Sequence, residues 1–282
     1  MSKNEASPIR DIRQVQQDAA ARIAAAQAAG DLATAQSVLQ EFSEQMRSFR
    51  EHFESIEKTL GKNFLGIAAW KKIEIDVGEA PPFPEALTLE LLNSECSLHP
   101  GQKIKDTHVL VIVPKLVNGE PYSALKLDEI CARLGFKQDG WSGWKKQEWA
   151  SMPQQESEWI LTPKSDPDSA HPQGDTHHFR NKSIAEQDLV QKNYYPEYLE
   201  AKAIEFMTTL VLYSGVNDVR LSSGSHLRCQ EPCTNGGRVC VAFDAGRKML
   251  DVGDPGGAGA PWVGRALARD LAAHSQRARR VT

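Results

Sequence analysis

"LATAQSVLQEFSEQMRSFREHFESIEKTLG" (Leu32–Gly61) decides how the chain begins. Leu32, Ala35, Leu39, Phe42, Met46, Phe49, Phe53, Ile56 and Leu60 recur in alternating steps of three and four. That spacing draws one apolar seam along a helix. Gly61 supplies its stop, and Asp31 and Gly30 read as its N-cap and as the left-handed end of a preceding helix. In that shorter helix Ser7 and Pro8 read as N-cap and first-turn residue, and Ile12, Val15, Ala19, Ile23 and Ala26 recur at helical spacing. Its alanines allow close approach to the second helix. Residues 1–61 are therefore expected to form an antiparallel helical hairpin. Phe on the seam at 42, 49 and 53 makes a wide interface, which suits a bundle. A pair this small needs a further surface to be stable. The seam at 32–60 is expected either to bury itself within the hairpin or dock on the rest of the chain, or to mediate self-association or contact with a protein partner, as a coiled coil.

Beyond the hairpin, "DVGEAPPFPEA" (Asp76–Ala86) carries Pro81, Pro82 and Pro84 and reads as the stiff end of a linker over 62–86. Residues 87–275 mix helical and strand patterns without a βαβ alternation. Pro84–Asn93 reads as a short helix with Leu87, Leu91 and Leu92 inward. "HVLVIVP" (His108–Pro114) reads as a buried strand, "VNGEP" as an Asn-Gly turn, and Ser123–Leu134 as a helix stopped by Gly135. "SEWILTP" (Ser157–Pro163) reads as a strand, and Glu197–Tyr213 as the longest body helix, with one apolar face and Gly215 at its end. Short strands follow in "HLRCQ", "RVCVAF" and around "MLDV", then a short helix in "VGRALARDL" (Val263–Leu271). The expected fold class is α+β, a hairpin followed by a body with a mostly antiparallel sheet late in the chain. Residues 276–282 form a basic tail with Arg277, Arg279 and Arg280.

The stretch "LLNSECSLHPGQKIKDTHVLVIVPKLVNGEPYS" (Leu91–Ser123) resembles a segment of an uncharacterised bacterial protein family, with members in chlamydia-like and planctomycete-type organisms. Leu92–Cys96, Gly101, Lys103, Thr107–Leu110, Pro114, Val117 and Gly119 carry the resemblance. It continues through "SEWILTPKSDPD" to "GRALARDL". That family has no assigned activity, so the resemblance implies no catalytic residues. The C-terminal "GGRVCVAF", "LDV" and "GRALARDL" are also similar to the ends of lectin-like binding domains, which implies ligand recognition.

Three places could carry chemistry. "HLRCQEPCTNGGRVCVAF" (His226–Phe243) offers His226, Cys229, Cys233 and Cys240, enough donors for a structural zinc. The stretch also reads as a hairpin with its loop at Cys233–Gly236. In that register Cys229 faces Cys240, as a cross-strand thiol pair or a reversible disulfide, and His226 falls on the other face. "SDPDSAHPQGDTHHF" (Ser165–Phe179) offers Asp166, Asp168, His171, Asp175, His177 and His178 to zinc or another divalent metal, against a plain polar loop. "DGWSGWKKQEWA" groups Trp141, Trp144 and Trp149 between glycines, a possible stacking surface for a ligand or else core anchors. Cys96 and Cys131 lie not far in sequence from His99 and His108, but spacing alone selects no Cys–His pair. Nucleotide loops and nucleophile elbows are missing from the sequence.

The net charge of −4 argues against a dedicated nucleic-acid binder. No apolar run is long enough for a membrane span, and the N-terminus lacks a signal-type core, so a cytoplasmic protein is expected, with signal-independent secretion left open. The five cysteines are expected as reduced thiols. The expected function is a non-enzymatic binding or interaction module without a cofactor, its hairpin for assembly and its body for recognition. The alternative is a metal-dependent or Cys-based hydrolase or effector using 165–179.

Overall fold

A computed structural model of the chain describes residues 12–140, 142–165, 179–219, 221, 226–233, 236–244, 249–253 and 263–271. Ser7, Pro8 and the basic tail lie outside them. Helices α1 (Ile12–Ala28) and α2 (Leu32–Leu60) form the expected pair. Gly30 turns between them at φ +72°. The Asp31 carboxylate caps α2 by accepting from the Thr34 N–H at 3.0 Å and its hydroxyl at 2.6 Å. Those bonds hold the Asp31 carboxyl below its usual range.

The α2 seam divides along its length. Ile56 and Leu60 are buried in a core shared with Leu87, Leu92 and Leu110. Phe42, Met46 and Phe49 are half-buried. Leu32 and Leu39 are 70% and 49% exposed. The body covers the C-terminal part of the seam; in the N-terminal part Ala35 is buried beside Val38 where α2 packs on α1, while Leu32 and Leu39 stay exposed.

The body begins with β1 (Phe64–Leu65), α3 (Ile67–Lys72), α4 (Leu89–Asn93), β2 (Glu95–Cys96), β3 (His99–Lys103), α5 (Ile104–Thr107) and β4 (His108–Val113). Next come β5 (Leu116–Val117), β6 (Glu120–Pro121), α6 (Ala124–Arg133), β7 (Lys137–Gly140), α7 (Glu148–Ser151), β8 (Glu158–Pro163), α8 (Ile184–Tyr194) and β9 (Tyr198–Glu200). The remainder is α9 (Ala203–Asn217), β10 (His226–Pro232), β11 (Arg238–Asp244), β12 (Met249–Gly253), β13 (Val263–Arg265) and β14 (Leu267–Arg269). One sheet has the order β1-β4-β8-β14-β9 and the other β13-β10-β11-β12-β7. The first sheet is antiparallel apart from β1–β4, whereas the second is evenly mixed, with β10–β11 and β11–β12 antiparallel and β10–β13 and β7–β12 parallel. Hairpin followed by sheet-rich body is the expected α+β class.

Alternation along β4 shows how the layers stack. Val109, Val111 and Val113 enter the central core with α9, while Leu110 and Ile112 enter the core under α2 and α4. A strand covered on both faces reads as a continuous apolar run. On its far side α9 meets Leu227, Val241 and Val252 of the second sheet. Helix α9 is thus sandwiched between the two sheets, and every residue from Phe206 to Tyr213 is buried.

That position corrects several expectations. The helix expected over Glu197–Tyr213 with one apolar face begins at Ala203, is buried all round, and continues through Gly215 to Asn217. Tyr198–Glu200 is instead an edge strand. Val263–Leu271, expected as a helix, is the strand pair β13–β14, which passes from one sheet to the other at Ala266. The Ala266 N–H donates to Arg228 O at 2.8 Å, and its carbonyl accepts from the Ala201 N–H at 3.0 Å. Sheet pairing, of β13 with β10 and of β14 with β8 and β9, overrides the helical propensity of Leu, Ala and Arg. Residues 62–86 are not a bare linker. Leu65, Trp70, Ile73, Ile75 and Val77 belong to the central core, and the Trp70 indole donates to Ile112 O at 3.0 Å.

No helix among the described residues is long and apolar enough to cross a membrane. Because Ile56 is buried and Leu39 is half-exposed, truncating each to Ala separates the two roles of the seam. Ile56→Ala is expected to cost about 2–5 kcal/mol and Leu39→Ala under about 1 kcal/mol, measured by urea unfolding. Equal losses would contradict the divided seam.

Candidate functional site

The first sheet opens where β8 and β14 part. They meet only at Arg269↔Leu161, reinforced by the Thr162 hydroxyl donating to Leu267 O at 2.8 Å. Beyond that point β8 continues along β4 through Glu158, while the chain after β14 turns aside as the Asp270 N–H donates to Glu197 O at 2.9 Å. The gap is a cleft of about 900 Å³. One wall is Ser157–Ile160 with Pro81–Glu85 above it; the other is Leu199, Glu200 and Ala268–Leu271.

The roof is fixed by aromatic packing. The Trp159 indole donates to Pro81 O at 3.2 Å. Its ring lies 5.4 Å from both Phe64 and Phe83, and Phe53 of α2 lies 5.2 Å from Phe83. Gly66 permits this closeness, since a Cβ there would fall 2.7 Å from the Phe64 ring.

Charge collects on the floor. Lys202 Nζ lies 3.1 Å from Glu158 Oε1 and 3.0 Å from Glu205 Oε1. Burial opposes the lysine's charge, but Glu205 and Glu158 outweigh it and raise its pKa. Burial raises the Glu205 carboxyl against the pull of Lys202. Both Glu205 and Glu231 cap α9: Glu205 accepts from the Lys202 N–H at 2.9 Å and Glu231 from the Ala203 N–H at 2.7 Å. Burial pushes the Glu231 carboxyl up to about 7, with Glu205 adding to the rise and the Ala203 N–H opposing it.

Arg269 stands between the cleft and a buried polar chain. It lines the cleft, and its guanidinium lies 5.4 Å over the Tyr198 ring with Nη1 donating to the Tyr198 hydroxyl at 3.4 Å. Tyr198 OH lies 2.9 Å from His108 Nε2 and 3.9 Å from Cys96 Sγ, and His108 Nδ1 lies 2.9 Å from the Thr107 hydroxyl. Burial, then the Arg269 charge, holds the His108 pKa well below its usual value, so the imidazole is neutral. Among the candidate Cys–His pairs, Cys96 and His108 are thus joined through Tyr198.

The hairpin thiols do not face each other. The register sets Leu227 opposite Val241 and Arg228 opposite Cys240, then slips before Pro232↔Arg238. The bulge shifts the expected pairing by one residue, so Arg228 stands where Cys229 was expected. Successive residues of a strand alternate faces. Cys229 enters the central core, and Cys240 lies on the opposite face. The turn itself closes one residue later than expected, with the Cys233 N–H donating to Gly237 O at 2.9 Å. His226 Nε2 lies 3.0 Å from Asp251 Oδ2 across the small Ala242, which pairs with Asp251. The four expected zinc donors therefore do not converge. All five cysteines are buried thiols outside any disulfide.

Trp144 is 2% exposed and stacks on Trp149 at 5.7 Å, and Trp149 packs against the central core. Trp144 anchors the loop from inside, and Trp149 is half-buried beside it. Trp141 lies outside the described residues, as do Asp166, Asp168, His171, Asp175, His177 and His178. Among the described residues no three His, Cys, Asp or Glu side chains gather as a metal site. The cleft residues Glu158, Lys202, Glu205 and Arg269 were missed from the sequence, because they come from β8, α9 and β14 and share no local motif. No family model, curated protein or solved structure matches the chain.

The Glu231 carboxyl supplies a pH test. Between its ordinary value of 4.5 and about 7 the folded chain holds a proton that the unfolded chain releases. Its contribution to stability falls as pH rises through that window, by up to about 3 kcal/mol. The buried neutral His108 acts in the opposite sense, losing stability as pH falls below its usual value of 6.5. Glu231→Gln keeps an acceptor for Ala203 and leaves His108 unchanged. The variant is expected to gain stability over the native chain on going from pH 5 to pH 8; urea unfolding showing a constant difference would contradict the assignment.

Proposed function

We propose that the protein is a non-enzymatic binding module that takes an extended peptide segment of a partner into this cleft. The observation that carries the reading is the open edge of β8. From Glu158 to Ile160 the strand has β4 on one side and the cleft on the other. An extended segment laid there would complete the sheet by main-chain hydrogen bonds, the strand-addition mode of peptide recognition. Phe83 and the Pro81–Pro84 roof offer apolar surface to alternate side chains of such a segment, with Trp159 holding that roof from beneath. The paired charges of Glu158, Lys202 and Glu205 hold both walls in place before a ligand arrives, which lowers the ordering cost of binding.

The hairpin is the assembly element in this reading, and a second copy of the chain is its partner. Support comes from the exposed seam positions Leu32 and Leu39, which continue the heptad spacing past the part covered by the body. Two hairpins joined there would form a four-helix bundle. Leu39→Glu is expected to convert a dimer to a monomer by light scattering with little change in unfolding midpoint. An unchanged mass would refute the assembly role.

For the cleft, the test is selection of random dodecapeptides displayed on phage against the full chain. Leu199 is 52% exposed on the cleft wall. Leu199→Trp fills the space beside β8 and is expected to weaken the selected peptides by about tenfold or more, about 1.4 kcal/mol. Peptides that bind both chains equally would place recognition elsewhere.

A further inference from the structure

We propose that residues 272–282 occupy this cleft in their own chain, seating their arginines against the carboxylates that line it, so that a partner peptide must displace them. This rests on the peptide-binding reading above and adds how that site is regulated. The lining is acidic on balance. Glu85, Glu158, Glu200, Glu205 and Asp270 stand against three lining cations, Lys202, Arg238 and Arg269. Glu158 and Glu205 share the single ammonium of Lys202. Glu200 lies 3.3 Å from Arg265 Nη2 and in the field of Arg238. Glu85, half-buried in the Pro-rich roof, makes no ion pair among the described residues.

The segment that enters here has the opposite charge. "AAHSQRARRVT" carries Arg277, Arg279 and Arg280 and no Asp or Glu. The two residues before it, Asp270 and Leu271, line the cleft wall, so the segment starts at the site it would fill. The six residues from Leu271 to Arg277 span up to about 20 Å. Ser157–Ile160 covers only about 10 Å of β8. The tether is thus long enough for the arginines to meet both walls. An arginine offers a carboxylate two parallel N–H···O bonds. Exposed pairs of this kind are weak between separate molecules, but a short tether raises the effective concentration to roughly millimolar. These contacts are made by side chains and leave the main-chain groups of β8 unpaired, so an arriving peptide still adds its sheet hydrogen bonds.

The test uses the full chain throughout. The probe is the least charged of the displayed dodecapeptides that Leu199→Trp excludes, labelled for fluorescence anisotropy. Its affinity is compared for the native chain, for Glu85→Gln, and for a triple variant carrying Arg277→Gln, Arg279→Gln and Arg280→Gln. A site filled about nine-tenths of the time weakens a competitor about tenfold, so the triple variant is expected to bind the probe about tenfold more tightly than the native chain. Glu85→Gln gives a smaller gain in the native chain and none in the triple variant. The difference between native chain and triple variant shrinks as salt is raised. A synthetic peptide of residues 272–282 displaces the probe from the triple variant. Equal affinity of the native chain and the triple variant, with Leu199→Trp still excluding the probe, would overturn this inference and leave the peptide-binding reading standing. A gain that grows with protein concentration would assign the segment to a second copy and overturn the contact within one chain. Failure to obtain any peptide excluded by Leu199→Trp would overturn both.

Discussion

Trp159 is the residue on which three parts of the molecule converge. It sits on β8 facing the core under α2. Its indole N–H fixes Pro81, its ring meets Phe64 and Phe83, and through Phe83 it reaches Phe53 of the hairpin. Aromatic edge contacts of this kind add about 0.5–1.5 kcal/mol each beyond burial. Their geometric effect matters more here. They hold the Pro-rich segment over the open side of β8, so a sheet that splits becomes a walled cleft instead of a collapsed edge.

The split itself follows from the central helix. Helix α9 fills the space between two sheets, and its N-terminus emerges where β13 passes into β14 at Ala266. The chain there must serve both sheets within a few residues. Ala201 and Ala266 are small enough for three backbones to approach, linking Arg228, Ala266 and Ala201 in a chain of hydrogen bonds. The strand that leaves this crossing can follow β9 but meets β8 at one residue pair. Glu205 and Glu231 then satisfy the first N–H groups of α9, and the burial they accept in doing so brings charge to the cleft floor.

Much of this frame was legible in the sequence where local pattern and final environment agree. The heptad run of α2, the Asp31 cap, the Gly30 turn and the doubly apolar "HVLVIV" each declare a periodicity that tertiary packing keeps. Reading failed where packing overrides propensity. "VGRALARDL" is rich in helix formers yet pairs with β10 through its first half and with β8 and β9 through its second. "YLE" joins a sheet edge although it precedes a helix without a proline or glycine break. The start of α9 carries no apolar stripe because all of its faces are covered. In the hairpin, the bulge after Arg228 is invisible to a two-residue alternation, and it changes which residue meets Cys240. The cleft was not legible for a different reason. Its walls come from four separate segments, 81–85, 157–160, 199–200 and 268–271, and the residue that organises them, Trp159, reads in sequence as one more strand aromatic.

Amide hydrogen exchange of the full chain, with and without a peptide selected for the cleft, tests the central claim most directly. Completion of the first sheet along β8 predicts added protection at Ser157–Ile160 and across Leu199–Lys202, with little change in β10–β12. Protection confined to the second sheet or to the hairpin, with Ser157–Ile160 exchanging as in the free protein, would contradict it.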